Sequence, residues 1–447
     1  MKVTNSYKVK LLTEHRQVLR RLSRETLSIY RSALSFVIHV CEQEWNDVSN
    51  IDGDKAKQMF VERLIHSTNN HKAKYPDFNM KFYKFPSYLR RDVITNAIGV
   101  VSSYFSNLEN WENSDKTTSK PRLRYNHIKY PTFYRKNMFI EDGTSAKIKL
   151  FNGNDWIWFD VAFRQSDYNY FKRFGLIKLS APLFEMRYGQ AYLRFAFTRD
   201  VKLVKDAHVI ISVDQGITND AVCVAMCPDG TVLDRKFINF SSEKDHRDTL
   251  LNRIKRNQRR GNMKNSRLWR KVKGINQTIS SKVSNEIIEY AKNMGAGVIV
   301  FEHLNFKDTK KRILGKMKQK IHFWKYRAVV NITTQKAHSS SIRIAKVNAW
   351  NTSCLAFDGS GFVKRGKFAG LPYNLCEFST GKIYNCDLNA AYNIGARYCI
   401  RQLLKPLSER TRLGILAKVP RCSKRSTCTL SDLISLNSVL KSFVLSF

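Results

Sequence analysis

The sequence predicts an α/β protein in which a mixed sheet flanked by helices follows a β-barrel-like unit, itself split by a helical insertion. Three patterns predict it. Two near-continuous apolar runs, VIISV (209–213) and GVIV (297–300), each end on an acid and have the composition of strands buried on both faces. Residues 146–204 alternate with period two, as half-buried strands do. Leu27, Tyr30, Leu34, Val37 and Cys41 recur at spacings of 3, 4, 3 and 4, which places them on one helix face, with Arg20, Arg21, Arg24 and Arg31 outside that stripe.

Taken in order, residues 3–12 form a short strand and 55–110 form further helices. Within the latter, 75–91 interleaves Tyr75, Phe78, Phe82, Tyr83 and Phe85 with Lys and Arg. That pattern fits either stacking on unpaired bases or a helix core. Residues 112–145 are basic and loop-like. From residue 205 the order changes to strand (HVIISVD), a hairpin turning at Pro228-Asp229-Gly230, a long basic helical stretch (247–294), strand (297–306), helix, strand (341–350) and helix (387–400). The order β-β-β-α-β-α-β-α fits an RNase H-type fold. Residues 401–447 show no pattern and read as a tail.

Charge narrows the function. The 447 residues carry 77 Lys+Arg against 37 Asp+Glu, a formal net charge of +40. A compact chain with that excess repels itself unless a polyanion neutralises it, and nucleic acid is the expected partner. An anionic membrane surface and a cationic secreted protein are the other candidates, but no apolar run of about 18 residues exists to span a bilayer. Residues 1–20 lack a signal-peptide core. Nine scattered cysteines argue against a disulfide framework and fit a reducing cytoplasm better. At 43% hydrophobic residues the chain is not a disordered tail.

Asp214 and Glu302 each terminate a buried strand, where ligand sites open in α/β sheets. Asp387 opens a helix rich in small residues (Ala390, Ala391, Gly395, Ala396) that suits close packing on a sheet. Singly, each acid has a plain structural role: Asp214 as turn anchor, Glu302 as partner of a lysine, Asp387 as helix cap. Brought together they repel, each raising the others' pKa, and a divalent cation removes that cost. Hard oxygen ligands select Mg²⁺ or Mn²⁺ over Zn²⁺. His303, beside Glu302, reads as structural.

Residues 205–400 resemble the RuvC-like nuclease domain of the transposon-encoded TnpB proteins and of the related type V CRISPR effectors. Three motifs carry the resemblance: ISVDQGITNDAV (211–222), VIVFEHLN (298–305) and CDLNAAYNIGAR (386–397). NAWNTSCLAFDGSG (348–361) matches the place where the family has a Thr-Ser before a zinc-ribbon insertion. The resemblance implies Asp214, Glu302 and Asp387 as the catalytic, Mg-binding acids. It also implies a layout of wedge-type oligonucleotide-binding barrel (1–13 and 111–204), helical recognition lobe (14–110), RuvC-like domain (205–350 and 387–400), degenerate zinc-ribbon-like insertion (351–386) and C-terminal tail (401–447). The implied activity is RNA-guided DNA cleavage by a Mg-dependent endodeoxyribonuclease, with guide RNA and target double-stranded DNA as partners and a cytoplasmic, transposon-associated setting. A compact type V CRISPR effector, a nuclease-inactive RNA-guided DNA binder and an RNA-independent resolvase are the alternatives.

The sequence departs from the family at the insertion. No C-x-x-C pair occurs, and Cys354, Cys376 and Cys386 supply too few ligands for tetrahedral zinc, so zinc is not expected. Cys223 and Cys227 read as core. Ten cations without an acid among them, Arg253, Lys255, Arg256, Arg259, Arg260, Lys264, Arg267, Arg270, Lys271 and Lys273, are expected on nucleic-acid phosphates, the plainer reading being a solvated helix face. Lys307, Lys310, Lys311 and Arg312 follow Glu302, where the resemblance implies a loop over the active site, and are expected on that ground near the scissile strand.

Overall fold

The computed structural model describes residues 1–116, 118–127, 129–173, 177–178, 181–204, 207–304, 324, 326–366, 369–424 and 426–444. They fall into two compact units, one of Lys2–Arg199 and one of Asp200–Phe447 together with Met1.

The first unit runs β1 (Lys2–Lys10), α1 (Arg16–Gln43), α2 (Trp45–Ser49), α3 (Asp54–Ile65), α4 (Asp77–Lys81), α5 (Ser87–Glu112), β2 (Phe139–Asp142), β3 (Ser145–Phe151), β4 (Trp156–Ala162), α6 (Gln165–Arg173), β5 (Ile177–Lys178), β6 (Leu183–Arg187) and β7 (Gln190–Asp200). The stripe Leu27, Tyr30, Leu34, Val37 and Cys41 is buried as its spacing predicts. It joins Ile148 and Leu150 of β3 and Phe195 of β7 in one core, so helices and strands share a single interior. Inside it Tyr30 Oη donates to Asp92 Oδ2 at 2.6 Å. Burial raises the Asp92 carboxyl pKa, a rise opposed by that bond. Of the aromatics in 75–91, Phe78, Phe82 and Phe85 are core residues, with Phe85 edge-on to Trp156 at 5.7 Å, while Tyr83 is exposed. Tyr75 Oη donates to Glu44. The core reading holds for the three phenylalanines because ring contacts among them and Phe36 already satisfy their faces. The strands form two sheets, β2-β3-β4 and a four-stranded set in which β1, β5 and β6 pair with β7. A closed barrel is not among the pairings of the described residues.

The second unit runs β8 (Ile210–Asp214), β9 (Ala221–Met226), β10 (Val232–Ile238), α7 (Ser241–Arg259), α8 (Ser266–Asn293), β11 (Val298–His303), α9 (Tyr326–Ser339), β12 (Arg343–Asn348), β13 (Lys364–Arg365), β14 (Leu375–Glu377), β15 (Ile383–Asn385), α10 (Cys386–Leu404), α11 (Glu409–Lys418) and α12 (Leu430–Val444). Its main sheet has the order β10-β9-β8-β11-β12. The pairs β10–β9 and β9–β8 are antiparallel, and β8–β11 and β11–β12 parallel, giving the mixed sheet of the expected fold. Alternate strand residues face opposite ways, so both faces are apolar. Ile210, Val298 and Val300 join one core with α10 and α12, whereas Ile211, Val213, Ile299 and Phe301 join another with α8 and α9. The hairpin turns where the sequence places it: Gly230 takes φ +98 and Thr231 N donates to Asp229 Oδ1 at 2.9 Å.

Residues 401–447 are not an unorganised tail. Leu433 and Leu436 of α12 are fully buried beside Cys422 and Cys428, in the core that α10 also lines. Its apolar positions are shared among three elements rather than one long amphipathic face, which hid the pattern. Among the described residues no helix is long and apolar enough to cross a membrane.

Candidate active site

Asp214 is the last residue of β8, and the parallel register pairs Phe301 with Val213. The next residue on each strand is therefore the acid, Glu302 beside Asp214, at the end where the sheet opens. The third acid arrives on α10. This helix approaches the sheet closely because Gly395 lacks a side chain: a Cβ there would lie 2.5 Å from Met226 Sδ and 3.2 Å from Ser212 Oγ. The cap of α10 is Asn385, whose side chain accepts from Asp387 N and Leu388 N at 3.0 Å each. Asp387 is thus inside the first turn rather than at the cap, and its carboxylate is free for another task. Its Oδ2 accepts from Asn219 Nδ2 at 2.9 Å, on the loop that follows Asp214.

The electrostatics record the convergence. Asp214 has a pKa pushed well above the ordinary carboxylate value, chiefly by burial and then by the charges of Glu302 and Asp387, with Arg365 opposing. Burial also raises Glu302, against a hydrogen bond from Thr352 and the charge of Arg397. Thr352 Oγ1 donates to Glu302 Oε1, so a threonine and not a lysine is the partner of this acid.

The third motif explains itself structurally. Asn389, Asn393 and Arg397 recur every four residues on α10 and all three are buried. Asn389 accepts from Phe357 N at 2.8 Å and donates to Leu355 O at 2.9 Å. Asn393 Nδ2 donates to Thr352 O at 2.9 Å and Leu355 O at 2.8 Å. Arg397 donates to the carbonyls of Asn348 (2.9 Å), Trp350 (2.7 Å), Ser426 (2.8 Å) and Cys428 (3.1 Å). These three side chains hold the 348–357 segment that carries Thr352, and through it the orientation of Glu302. Sequence reasoning passed over them; the signal was polar residues at i, i+4 and i+8 in a helix otherwise made of small and apolar ones.

The donor set suits a hard divalent cation: three carboxylates drawn together, two with raised pKa. With Glu302 Oε1 turned to Thr352 and Asp387 Oδ2 to Asn219, no group of three such side chains among the described residues stands in a ligating arrangement. Glu302 Oε2 and Asp387 Oδ1 remain for a ligand.

The insertion between Thr352 and Asp387 is a small antiparallel sheet, β13-β14-β15. Its core is apolar, with Cys376 and Cys386 buried beside Phe378 and Ala356 and with Phe357 edge-on to Tyr384 at 5.1 Å. Cys354 is exposed. Cys223 is fully buried in the core, as its strand position predicts, and Cys227 is partly exposed. His303 is exposed.

The ten cations lie on one helical hairpin. Arg253, Lys255, Arg256 and Arg259 are on α7, Arg260 and Lys264 in the turn, and Arg267, Arg270, Lys271 and Lys273 on α8, all exposed. Leu250, Leu251, Ile254 and Val272 close the hairpin, and Asn257 Nδ2 donates to Asn265 Oδ1 at 2.8 Å across its turn. Lys307, Lys310, Lys311 and Arg312 lie outside the described residues.

A mixed sheet with acids ending two neighbouring strands and a third acid on the packed helix defines the RNase H-like class of nuclease folds. Residues 189–416, more than half of the chain, match the family described as RuvC nuclease domain, and residues 4–152 match the Aq_aa04 family. The TnpB-like protein aq_aa05 of Aquifex aeolicus (strain VF5) is 27% identical over 212 residues, covering 43% of this chain and 68% of that protein. The solved Cas12f1–sgRNA–target DNA complex is similar in fold at a TM-score of 0.54 and 13% identity, over 86% of this chain and 83% of that one. The mini-RNA-guided endonuclease CRISPR-Cas_phi3 is similar at a TM-score of 0.50 and 11% identity, over 89% and 92%. The chain belongs to the RuvC nuclease domain family, as a member of the TnpB type.

Proposed function

We propose that this protein is an RNA-guided DNA endonuclease that hydrolyses target DNA at Asp214, Glu302 and Asp387. The observation that carries the reading is the convergence of these acids: the strand register sets Glu302 beside Asp214, and Asp387 Oδ2 accepts from Asn219 on the loop that follows Asp214. Three like charges held together in a largely buried site are costly, and the cost is offset when cations bind. The three carboxylates would hold Mg²⁺ or Mn²⁺. A bound pair of such ions supplies an activated water and stabilises the leaving oxygen in phosphodiester hydrolysis. Thr352 and Asn219 orient two of the acids, and the exposed hairpin of ten cations offers phosphate contacts.

The charge of +40 supports guide RNA and target double-stranded DNA as partners, since both are polyanions. The similar solved structures support the same partners: one is a complex with sgRNA and target DNA and another an RNA-guided endonuclease. In this reading residues 1–13 and 111–204 act as the wedge, 14–110 as the recognition lobe, 205–350 and 387–400 as the nuclease, and 351–386 as a zinc-free insertion. Residues 401–447 support the nuclease core. The setting is a transposon in a prokaryotic cytoplasm.

The test is to purify the protein from its native locus, sequence the RNA it carries, and assay Mg²⁺-dependent cleavage of DNA matching that RNA. Asp214→Ala is expected to abolish cleavage and leave nucleic-acid binding intact. Absence of a defined co-purifying RNA sinks the guided reading, and near-normal cleavage by the variant sinks the assigned centre.

A further inference from the structure

Beyond the three acids, the loop after β8 forms the wall of a separate cavity. The cavity measures about 310 Å³ and is bounded by residues 215–218, by α7 and α8, by Val329 of α9 and by Trp324. This size falls at the small end of ligand sites, which span roughly 300–1,000 Å³. Its wall is continuous with the catalytic cluster: it starts at the neighbour of Asp214 and leads to Asn219, which donates to Asp387 Oδ2 at 2.9 Å.

The chemistry of the lining selects an occupant. The lining includes the side-chain amides of Gln215, Asn239 and Asn276, of which Asn276 Oδ1 accepts from Arg247 Nη1 at 3.3 Å, together with the apolar Ile279 and Val283. Gln215 is 9% exposed, and its amide nitrogen is a buried donor with no hydrogen-bond partner. Such a donor is costly unless a ligand completes it. The lining cations are already matched within the wall. Lys244 pairs with Asp220 at 3.3 Å and donates to Thr218 O at 2.7 Å, and Arg247 Nε donates to Asp248 Oδ1 at 3.0 Å. An anion finds no unmatched cation there, and the carboxylate of Asp245 in the same wall repels it further. A neutral, flat group with both donors and acceptors on its edge finds amides for the edge and an apolar surface for the faces.

We propose that this cavity receives an unstacked nucleobase from the DNA strand presented to the three acids, adjacent to the phosphate that is cut. The inference rests on the nuclease reading above and adds to it a base-binding site beside the scissile position. Drawing one base out of the stack bends the backbone at its phosphate, which would expose that phosphate to the acids and fix the strand's register. Gln215 Nε2 donates to an acceptor on the base edge, and no covalent step is involved.

The test uses the full-length protein with its co-purifying RNA and target oligonucleotides carrying 4-thiothymidine at successive positions. Irradiation in EDTA keeps the strand intact, and peptide mapping locates each crosslink. One position is expected to crosslink to residues 215–218 or to the α8 face. Gln215→Met, which removes the donor at similar volume, lowers that crosslink about fivefold when normalised to the oligonucleotide bound, the loss of one hydrogen bond. Thr218→Tyr, at the exposed rim, blocks the same crosslink without touching the core. In a parallel scan with Mg²⁺, an abasic nucleotide slows cleavage only at that position.

Crosslinks spread evenly along the strand, or unchanged in both variants, overturn the cavity assignment while cleavage leaves the nuclease reading standing. A single-position crosslink without any Mg²⁺-dependent cleavage overturns the nuclease reading and leaves a base-binding cavity. Neither signal overturns both.

Discussion

Thr352→Val replaces a buried hydroxyl by a methyl of the same shape. Thr352 is 3% exposed and its Oγ1 donates its one proton to Glu302 Oε1, with Ala349 O at 3.1 Å the competing acceptor. A hydrogen bond to a charged acceptor contributes about 1.5–3 kcal/mol. If Glu302 must be ionised and correctly aimed, losing that bond slows cleavage about 10- to 100-fold, at roughly tenfold per 1.4 kcal/mol. The pH dependence has a definite sign. Burial raises the Glu302 pKa and the Thr352 bond lowers it, so removing the bond moves the pKa further up. The ascending limb of the pH–rate profile shifts to higher pH, and raising pH recovers part of the lost rate. Single-turnover cleavage across pH, at saturating guide and target, measures both effects. Thr352→Ser keeps the hydroxyl and is expected near wild type. A valine variant within about twofold of wild type, with an unmoved profile, refutes the role given to this hydrogen bond, because the expected loss is at least tenfold.

Arg397→Met removes a buried guanidinium that donates to four carbonyls, one of them in a fully buried bond, and is expected to destabilise the second unit by about 3 kcal/mol in denaturant unfolding. Lysine at 397 recovers only part, since an ammonium cannot span the same fork. Gly395→Ala places a Cβ 2.5 Å from Met226 Sδ and is expected to cost about 1–3 kcal/mol, with Met226→Ala relieving it in the double variant. Replacing Arg256, Arg259 and Arg267 by Gln is expected to weaken nucleic-acid binding uniformly across sequences. It should also flatten the slope of log affinity against log salt by about 0.7–0.9 for each phosphate left without its cation; an unchanged slope in filter binding assigns the hairpin to solvent.

The acids were not equally legible: Asp214 and Glu302 end apolar runs, whereas Asp387 was marked mostly by the family motif around it. The run of ten cations was legible as a cluster, and the structure adds that it is one helical hairpin with every charge outward. The aromatics of 75–91 were ambiguous in sequence, since ring and cation alternate in cores and on stacking surfaces alike. The tail was misread because α11 and α12 contribute a few leucines and cysteines to a core built mostly by others.

By itself the sequence determined which local elements form and where carboxylates interrupt apolar strands, because strand and helix periodicity depend on neighbours a few residues away. It also determined the net charge of +40, a property of composition, on which the proposal of a polyanionic partner rests. Tertiary structure decided the rest. It chose Asn385 over Asp387 as the cap of α10, gave Glu302 a threonine partner 50 residues away, and made Asn389, Asn393 and Arg397 the scaffold of that threonine. Those interactions join residues far apart in the chain, and their energies exist only once the α10 backbone has settled onto the sheet at Gly395.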